Sequence, residues 1–319
     1  MNLIRILDEM RGKKVLVIGD LMLDKFILGD VSRISPEAPV PIVKVEEENI
    51  ALGGAGNVAN NISSLGGISI IAGVVGDDEE AEILLQEFKK RKINVDCVLK
   101  NKTRPTIQKI RIMDNSQHIL RLDYEKTTYV EKEIENKLLV AISKKIPEIE
   151  AIIISDYAKG AITKNLAKKI IEGAKKNKKL ILVDTKPKHV DFYNDITLIK
   201  PNIKEAKEMT SKDDLNDIGN ELKKKFNSNI LITRGKDGMS LFLKTGKRID
   251  VRTRAREIAD ISGAGDTVIA VLSLALVAGA GFEDAINLSN IAAGLVVEKS
   301  GVVPVDFEEL KTYLKENKL

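Results

Sequence analysis

Short runs of apolar, often β-branched residues recur along the chain, separated by stretches in which apolar and polar positions have helical spacing. Runs of this length that end near Gly, Asp or Asn are typical of buried parallel strands, whose carboxyl ends carry functional loops. The runs that we predict as strands cover residues 14–20, 68–78, 151–156, 180–186, 197–202 and 229–235.

The stretches between these runs predict helices. Residues 58–65 place their apolar side chains on one helical face, and Gly66 follows as a plausible stop. A second helix is predicted after Asp78. We therefore expect an α/β fold, a mostly parallel sheet covered by helices. The absence of a low-complexity linker or an internal repeat favours one domain over residues 1–319.

Two stretches do not fit this alternation. Residues 25–45 combine strand-like residues with three prolines, which exclude a regular helix, and residues 104–124 contain two extended runs around a turn-like sequence at 114–117. We predict that they form a small β-sheet appendage that covers a substrate as a lid. An edge hairpin without a function is the alternative interpretation.

Composition excludes several classes of protein. The formal charge is only +4, aromatic residues make up 4% and Trp is absent, so we expect no nucleic-acid partner. The apolar run 268–280 is shorter than the roughly 20 residues that cross a bilayer, and residues 1–14 lack the pattern of a signal peptide. A lone cysteine, Cys97, fits a reducing compartment, and we expect a cytoplasmic protein without membrane contact.

The chemistry must rest on carboxylates, backbone amides, Lys and Arg, because His118 and His189 are the only histidines. The strongest candidate is DISGAGDT (260–267), a Gly-rich turn before an apolar helix predicted to begin near Thr267. Amides at the start of a helix suit the oxygens of a transferring phosphoryl group, and Asp266 could accept the proton of an attacking hydroxyl. The alternative is a capped helix in which Asp266 only complements the dipole. The amides in question belong to Gly263, Ala264 and Gly265.

Two further motifs follow predicted strands. Asn202 and Glu205 have an N-x-x-E spacing that could hold hydrated Mg²⁺, although Asn202 is also a good helix N-cap. The sequence TRGKDG (233–238) offers an Arg and two glycines to a triphosphate, and a simple β-turn is the alternative.

The sequence GAGNVA (54–59) also matches the dinucleotide-binding fingerprint, with Asp77 and Asp78 downstream, as in a nicotinamide oxidoreductase. That fingerprint should follow a buried strand, whereas residues 46–51 are acidic and polar. In a kinase the same loop would offer its amides and Asn57 to sugar hydroxyls.

Five motifs occur in one order: GGAGNVA (53–59), GVVGDD (73–78), KPNIKE (200–205), TRGKDG (233–238) and DISGAGD (260–266). With them the whole chain resembles the ribokinase-like (PfkB) family of carbohydrate kinases. The resemblance implies a three-layer α/β/α sandwich with a mostly parallel central sheet and a small β-lid. It also implies Asp266 as the catalytic base, the amides of 263–265 as an anion hole, ATP and Mg²⁺ as cofactors, and a homodimer.

The same resemblance assigns the nucleotide side. Mg²⁺ would be held through water by Asn202 and Glu205, and a monovalent cation would lie near Asp260. The residues expected at ATP are Asn202, Ile203, Lys204, Glu205, Thr233, Gly235, Gly238 and Asn290.

Finer features in 19–45, 103–112, 120–125 and 155–163 are similar to the D-glycero-D-manno-heptose 7-phosphate kinases of this family, which phosphorylate the anomeric hydroxyl. The resemblance implies sugar contacts from Asp20, Asp24, Gly53, Gly54 and Asn57, with Asp156 and Lys159 nearby. The cations expected as candidates for the sugar's phosphate are Arg33, Arg104, Lys109, Arg111 and Lys186.

Two points qualify this resemblance. Many such relatives carry a nucleotidyltransferase with an H-x-G-H motif, whose histidines this sequence lacks, so we expect the kinase step alone. Another sugar or sugar-phosphate kinase of the family, acting on ribose, fructose or a hexose phosphate, is the nearest alternative.

Overall fold

A computed structural model describes residues 2–114, 117–253, 260–299 and 301–319. Two residues of the predicted turn at 114–117, 115 and 116, lie outside the described part.

The first strands in chain order are β1 (Lys14–Gly19), β2 (Leu21–Ile34), β3 (Pro41–Gly54), β4 (Ile68–Val75), β5 (Asn94–Lys100), β6 (Ile107–Asp114) and β7 (Gln117–Tyr124). They are followed by β8 (Ala151–Asp156), β9 (Leu180–Thr185), β10 (Leu198–Ile199), β11 (Asn229–Thr233), β12 (Met239–Phe242) and β13 (Arg248–Val251).

The helices are α1 (Leu3–Glu9), α2 (Ala55–Ser64), α3 (Glu79–Lys90), α4 (Lys132–Lys145), α5 (Lys164–Lys176), α6 (Ile203–Thr210), α7 (Leu215–Phe226), α8 (Ala264–Val277), α9 (Phe282–Val297) and α10 (Phe307–Glu316). Short 3-10 helices cover Ile146–Glu148, Pro187–Phe192 and Gly235–Asp237.

The main sheet has the strand order β13-β12-β11-β10-β9-β8-β1-β4-β5. The pairs from β11 to β5 are parallel, whereas β12 and β13 are antiparallel at one edge. All six strands predicted from apolar runs belong to this sheet, although the run 197–202 contributes only Leu198–Ile199. Strands β5, β12 and β13 were not predicted. Strands β5 and β13 form the two edges of the sheet and are only partly buried, so they lack a continuous apolar run, and the buried β12 is only four residues long.

Two apolar clusters cover the faces of this sheet. Successive residues of a strand point to opposite faces, so Val15 and Val17 of β1 enter one cluster and Leu16 and Ile18 the other. Helices α1, α2, α3, α8, α9 and α10 pack on the first face, and α4 to α7 on the second. The three layers agree with the predicted sandwich.

The sequence predicts a boundary for three of these helices, and each lies within three residues of the observed one. Gly66 follows α2 with a left-handed φ of 79°, and the side chain of Asp78 caps α3 by accepting from Ala81 N. Helix α8 begins at Ala264, three residues before the predicted position, which places Asp266 inside the first turn.

A second sheet has the strand order β3-β2-β6-β7 and is built from the two stretches that interrupt the α/β alternation. Strand β2 pairs antiparallel with β3 from Leu21 opposite Gly54, and it pairs parallel with β6. The acidic segment 46–51 is part of the largely exposed β3, so the second sheet extends further than the predicted range 25–45.

Gly19, at the carboxyl end of β1, permits the close approach of β1 and β8. A Cβ atom there would lie 2.0 Å from the carbonyl oxygen of Ser155, in the neighbouring central strand. A methyl group could be accommodated only if the backbones of the two strands moved apart.

We expect Gly19→Ala to lower the free energy of unfolding by about 3 kcal/mol, because overpacking against backbone is not relieved by rotating a side chain. Urea denaturation would measure this loss. The matched control is Gly281→Ala, where a Cβ atom meets nothing within 4 Å and the cost should stay below about 1 kcal/mol. Equal losses in the two variants would contradict the packing argument.

Candidate active site

Two cavities meet beside the start of α8. The larger has a volume of about 430 Å³ and lies at the carboxyl ends of β9, β10 and β11, against α8 and α9. The smaller, about 220 Å³, lies between α8 and the second sheet. Tyr157, Gly263 and Asp266 line both cavities, so a group bound in one can meet a group bound in the other at these residues.

The turn before α8 depends on a glycine. Gly263 has a φ of 85°, and a Cβ atom there would lie 2.7 Å from Nδ2 of Asn57. The amide of Ala264 lies 3.4 Å from the Ile261 carbonyl, whereas the first turn of a helix offers the next amides, including that of Gly265, no intrahelical acceptor. The turn therefore presents amide hydrogens and the positive end of a helix dipole to the larger cavity.

Asp266 is buried at this boundary. Asn57 Nδ2 donates to its Oδ2 at 2.9 Å, and the Tyr157 hydroxyl donates to its Oδ1 at 2.8 Å. Burial raises the pKa of Asp266 to about 6, and the charge of Asp184 adds to this, whereas the two hydrogen bonds oppose it. The carboxylate is thus ionised at neutral pH and more basic than an exposed aspartate, which suits a proton acceptor.

Asn202 and Glu205 form a capping box at the start of α6. Asn202 Oδ1 accepts from Glu205 N, and Glu205 Oε2 accepts from Asn202 N, each at 2.9 Å. The N-cap interpretation of Asn202 is therefore correct. The other carboxylate oxygen of Glu205 accepts from Lys186 Nζ at 2.5 Å inside the larger cavity.

The contacts of Glu205 determine how it could hold Mg²⁺. Both oxygens of Glu205 already accept hydrogen bonds, which suits a hydrated Mg²⁺ held through water better than a directly coordinated ion. Among the described residues there is no group of three or more His, Cys, Asp or Glu that could ligate a metal directly.

Most residues predicted at the nucleotide line the larger cavity, namely Asn202, Ile203, Glu205, Thr233, Gly235, Gly238 and Asn290. Lys204 does not, because helical geometry turns its side chain outward from α6 to solvent. Asp260 is next to the lining residue Ile261, and its Oδ1 accepts from Ser262 N. Asn290 Nδ2 donates to the Arg252 carbonyl at 2.7 Å.

Three residues predicted at the sugar line the smaller cavity: Asp24, Gly53 and Gly54. Three cations from the second sheet join them, namely Lys109, Arg111 and Arg121. Arg111 forms a 2.8 Å ion pair with Asp24, while Lys109 and Arg121 both pair with Asp123.

Other predicted sugar contacts have structural partners instead. Asp20 accepts hydrogen bonds from the backbone amides of Tyr157, Lys159 and Ala161. Asp156 accepts from His189, Tyr193, Thr185 and its own turn. Neither aspartate lines the smaller cavity, since Asp20, which follows β1, and Asp156, at the end of β8, both accept from amides of the turn between β8 and α5.

Asn57 differs in another way, because its amide contacts Asp266 and is not part of the smaller cavity's lining. Lys159, also absent from that lining, pairs with Glu125 at 2.5 Å.

Three candidates for the sugar's phosphate lie elsewhere. Arg104 is buried and donates to the backbone carbonyls of Lys126, Thr128 and Lys159, so it braces a loop. Arg33 is exposed near the far end of β2 and lines neither cavity. Lys186 lines the larger cavity through its pair with Glu205, not the smaller one.

Sequence reasoning missed four residues of the site: Tyr157, Asp184, Lys200 and Arg121. Lys200 is buried and forms a 2.7 Å ion pair with Asp184 in the larger cavity. A charged residue at the end of an apolar run signals a site, and this signal was present for Asp184 and Lys200 in LILVDTK and TLIKPN. For Arg121, one residue among many in an exposed strand, the sequence contains no such signal.

The dinucleotide fingerprint lacks its structural context. Residues 54–59 follow β3 of the second sheet rather than a strand of the main sheet, and Asp78 caps α3. This arrangement does not support a nicotinamide oxidoreductase.

The fold and the paired cavities suit an enzyme that transfers a group between two small molecules bound side by side. Residues 12–308 match the pfkB family of carbohydrate kinases. The chain therefore belongs to this family and is an ATP-dependent sugar kinase. This match confirms the resemblance that its motifs indicate.

Within this family the chain is similar to curated proteins named HldE. The chain is 42% identical to the bifunctional protein HldE of Coxiella burnetii over 309 residues, which cover 94% of the chain and 63% of that protein. It is 40% identical to HldE of Geobacter sulfurreducens, over 92% of the chain and 61% of the relative. The chain thus spans less than two thirds of the length of these relatives.

Solved structures confirm the ribokinase-like fold. Arabidopsis thaliana ribokinase, complexed with ribose and ATP, superposes with a TM-score of 0.73 over 95% of this chain and 99% of its own at 17% identity. Phosphofructokinase-2 from Escherichia coli, in complex with potassium, superposes with a TM-score of 0.77 over the same shares of the two chains at 18% identity.

The described part of the chain contains no helix long and apolar enough to span a membrane.

We expect Glu205→Gln to raise the Mg²⁺ concentration for half-maximal activity about tenfold, because the amide keeps the capping acceptor but loses the negative charge. A Mg²⁺ titration at saturating ATP would measure this change, and thermal unfolding should change little. Glu208→Gln is the matched control, an exposed glutamate on the same helix. An unchanged Mg²⁺ requirement in Glu205→Gln would contradict a role in holding the ion.

Proposed function

We propose that the chain transfers the γ-phosphoryl group of ATP to the anomeric hydroxyl of D-glycero-D-manno-heptose 7-phosphate, yielding heptose 1,7-bisphosphate and ADP. The observation that carries this proposal is the position of Asp266 at the boundary of two cavities, one with nucleotide-site features and one with three cations. The similarity to proteins named HldE supports the choice of sugar.

The smaller cavity suits a sugar that already carries a phosphate. Asp24 and the backbone at Gly53 and Gly54 offer hydrogen-bonding groups to hydroxyls, and the cations face them from β6 and β7. Arg111 pairs with the buried Asp24, whereas the more exposed Arg121 pairs with Asp123, a carboxylate that it shares with Lys109. One guanidinium group can donate two parallel hydrogen bonds to the oxygens of a phosphate. Arg121 is therefore our main candidate for binding the 7-phosphate.

The proposed mechanism uses Asp266 as the general base. The carboxylate takes the proton of the anomeric hydroxyl, the sugar oxygen forms a bond to the γ-phosphorus, and the bond to the β–γ bridging oxygen breaks, so that ADP leaves. The amides at the start of α8 and the cations Lys186 and Lys200 offset the negative charge of the transferring group. Mg²⁺, held through water by Asn202 and Glu205, would neutralise charge on the triphosphate when bound.

Further parts of the proposal concern the surroundings of the site. A monovalent cation beside Asp260 is supported by the potassium in the similar phosphofructokinase-2 structure. A homodimer formed through the second sheet is supported by apolar side chains exposed there, among them Ile34, Val45, Leu120 and Leu122. A cytoplasmic location is supported by the buried Cys97, which has no disulfide partner.

The substrate assignment can be tested directly. The protein, ATP and Mg²⁺ would be incubated with heptose 7-phosphate, and ³¹P NMR would follow the appearance of an anomeric phosphate. Heptose without phosphate, ribose, fructose and fructose 6-phosphate would be compared at equal concentrations. A higher kcat/KM for any of these sugars would reject heptose 7-phosphate and favour another kinase of the family.

We expect Asp266→Asn to lower kcat by about 10³-fold, because the amide cannot accept the hydroxyl's proton. In the wild-type enzyme, kcat should fall as the pH drops through about 6, since protonation of Asp266 removes the base. Stopped assays from pH 5 to 8.5 would measure the profile, and a fluorescent ATP analogue should bind the variant with unchanged affinity. Near-normal turnover of Asp266→Asn would refute the assignment of the base.

We expect Arg121→Ala to raise KM for heptose 7-phosphate about 30-fold while KM for ATP stays constant, because a charge-assisted pair with phosphate contributes about 2 kcal/mol. Steady-state kinetics with each substrate varied in turn would separate the two constants. The control is Arg5→Ala, another exposed arginine with a single carboxylate partner, on α1. Equal effects of the two substitutions would contradict a phosphate site at Arg121.

A further inference from the structure

The carboxylate of Asp266 is held by two neutral donors from different parts of the fold. One is Asn57, in α2, and the other is the hydroxyl of Tyr157, in the turn between β8 and α5. Tyr157 lies at the boundary of both cavities, and its ring also lies 5.2 Å from Lys186 Nζ. This tyrosine therefore contacts the base and faces both substrate sites.

The turn that carries Tyr157 is strongly anchored. Its next residue, Ala158, has a left-handed φ of 56°, which a residue with a Cβ atom rarely adopts. Asp156 Oδ1 accepts from the Ala158 amide at 2.9 Å, and Asp20 accepts from three further amides of the turn, including that of Tyr157. Burial, together with the charge of Asp156, raises the pKa of Asp20 to about 6. Two buried acids thus keep this turn in an unfavourable backbone conformation.

We propose that Tyr157 is a positioning residue for the catalytic base, and that its hydroxyl, fixed by this anchored turn, orients the Asp266 carboxylate and stabilises its ionised form. The inference rests on the proposed role of Asp266 and adds a group that sets its geometry and basicity. It also explains why Asp20 and Asp156 are buried beside the site without lining the sugar cavity.

The hydroxyl can be separated from the other charges that surround Asp266. The charge of Asp184 raises the pKa of Asp266, and the charge of Lys200 lowers it. The charge of Asp266 in turn raises the pKa of Lys186. Across the smaller cavity the charged groups are Asp24, Lys109, Arg111 and Arg121. Tyr157→Phe leaves all of these in place and keeps the ring, so a change in titration reports the lost hydrogen bond.

The first experiment measures the base itself. Carboxyl ¹³C NMR of the nucleotide-free protein would identify the Asp266 signal as the one absent from Asp266→Asn, and a pH titration would give its pKa. In Tyr157→Phe we expect this pKa to rise by about one unit, because a hydrogen bond to the charged form has been removed. An unchanged pKa would overturn the proposal.

The second experiment measures the consequence for turnover. The acidic limb of the kcat profile with heptose 7-phosphate should move up by about one pH unit in Tyr157→Phe, and kcat on the plateau should fall about tenfold. The matched control is Tyr129→Phe, which removes a hydroxyl that contacts His189 Nε2 at 3.0 Å and leaves Asp266 untouched. A lower plateau with an unshifted limb would show a general packing effect and overturn the proposal.

The roles of Asp266 and Tyr157 can be rejected separately. If Asp266→Asn retains normal turnover, the proposed role of Asp266 as the base is wrong whatever Tyr157 does. If Asp266→Asn is inactive and Tyr157→Phe titrates like the wild-type protein, the base stands and the positioning role is wrong. Thermal unfolding of both tyrosine variants would show that each remains folded during the measurements.

Discussion

The candidate active site is organised around the buried carboxylate of Asp266, whose ionised form is stabilised by neighbouring groups. Taking Asp266 out of water opposes its charge, and the fold compensates with the Asn57 amide, the Tyr157 hydroxyl and the nearby Lys200. These partners come from α2, from the turn after β8 and from the segment after β10. These three groups therefore come together at the start of α8, where the two cavities meet.

The same balance of burial and hydrogen bonding recurs one layer deeper. Asp20 and Asp156, at the ends of β1 and β8, are buried and accept hydrogen bonds from a turn that includes a left-handed alanine. Buried charges are costly unless they are well satisfied, so these acids define one conformation of the turn rather than a flexible loop. The position of Tyr157 is therefore fixed by residues at the ends of two central strands, β1 and β8.

Residue type alone does not predict which groups a cation contacts in the fold. Arg104, Lys186 and Arg111 carry the same charge at pH 7, yet the first braces a loop, the second pairs with Glu205 in the larger cavity, and the third pairs with Asp24 in the smaller one. A positive charge in the sequence predicts an acceptor, but not whether it is a carboxylate or a set of backbone carbonyls. The partner is chosen by the strand or loop that carries the side chain.

The sequence by itself determined the α/β alternation, six strands of the main sheet, the Gly-rich turn that leads into α8, and the family. These features are local, because strand period, helix caps and glycine turns are written within a few neighbouring residues. Only the tertiary structure decided that Tyr157 and Asn57 contact Asp266, that Asp20 and Asp156 anchor a turn, and that Arg121 joins the smaller cavity. Those contacts join residues as much as 209 positions apart, and no pattern along the chain encodes a distance across the fold.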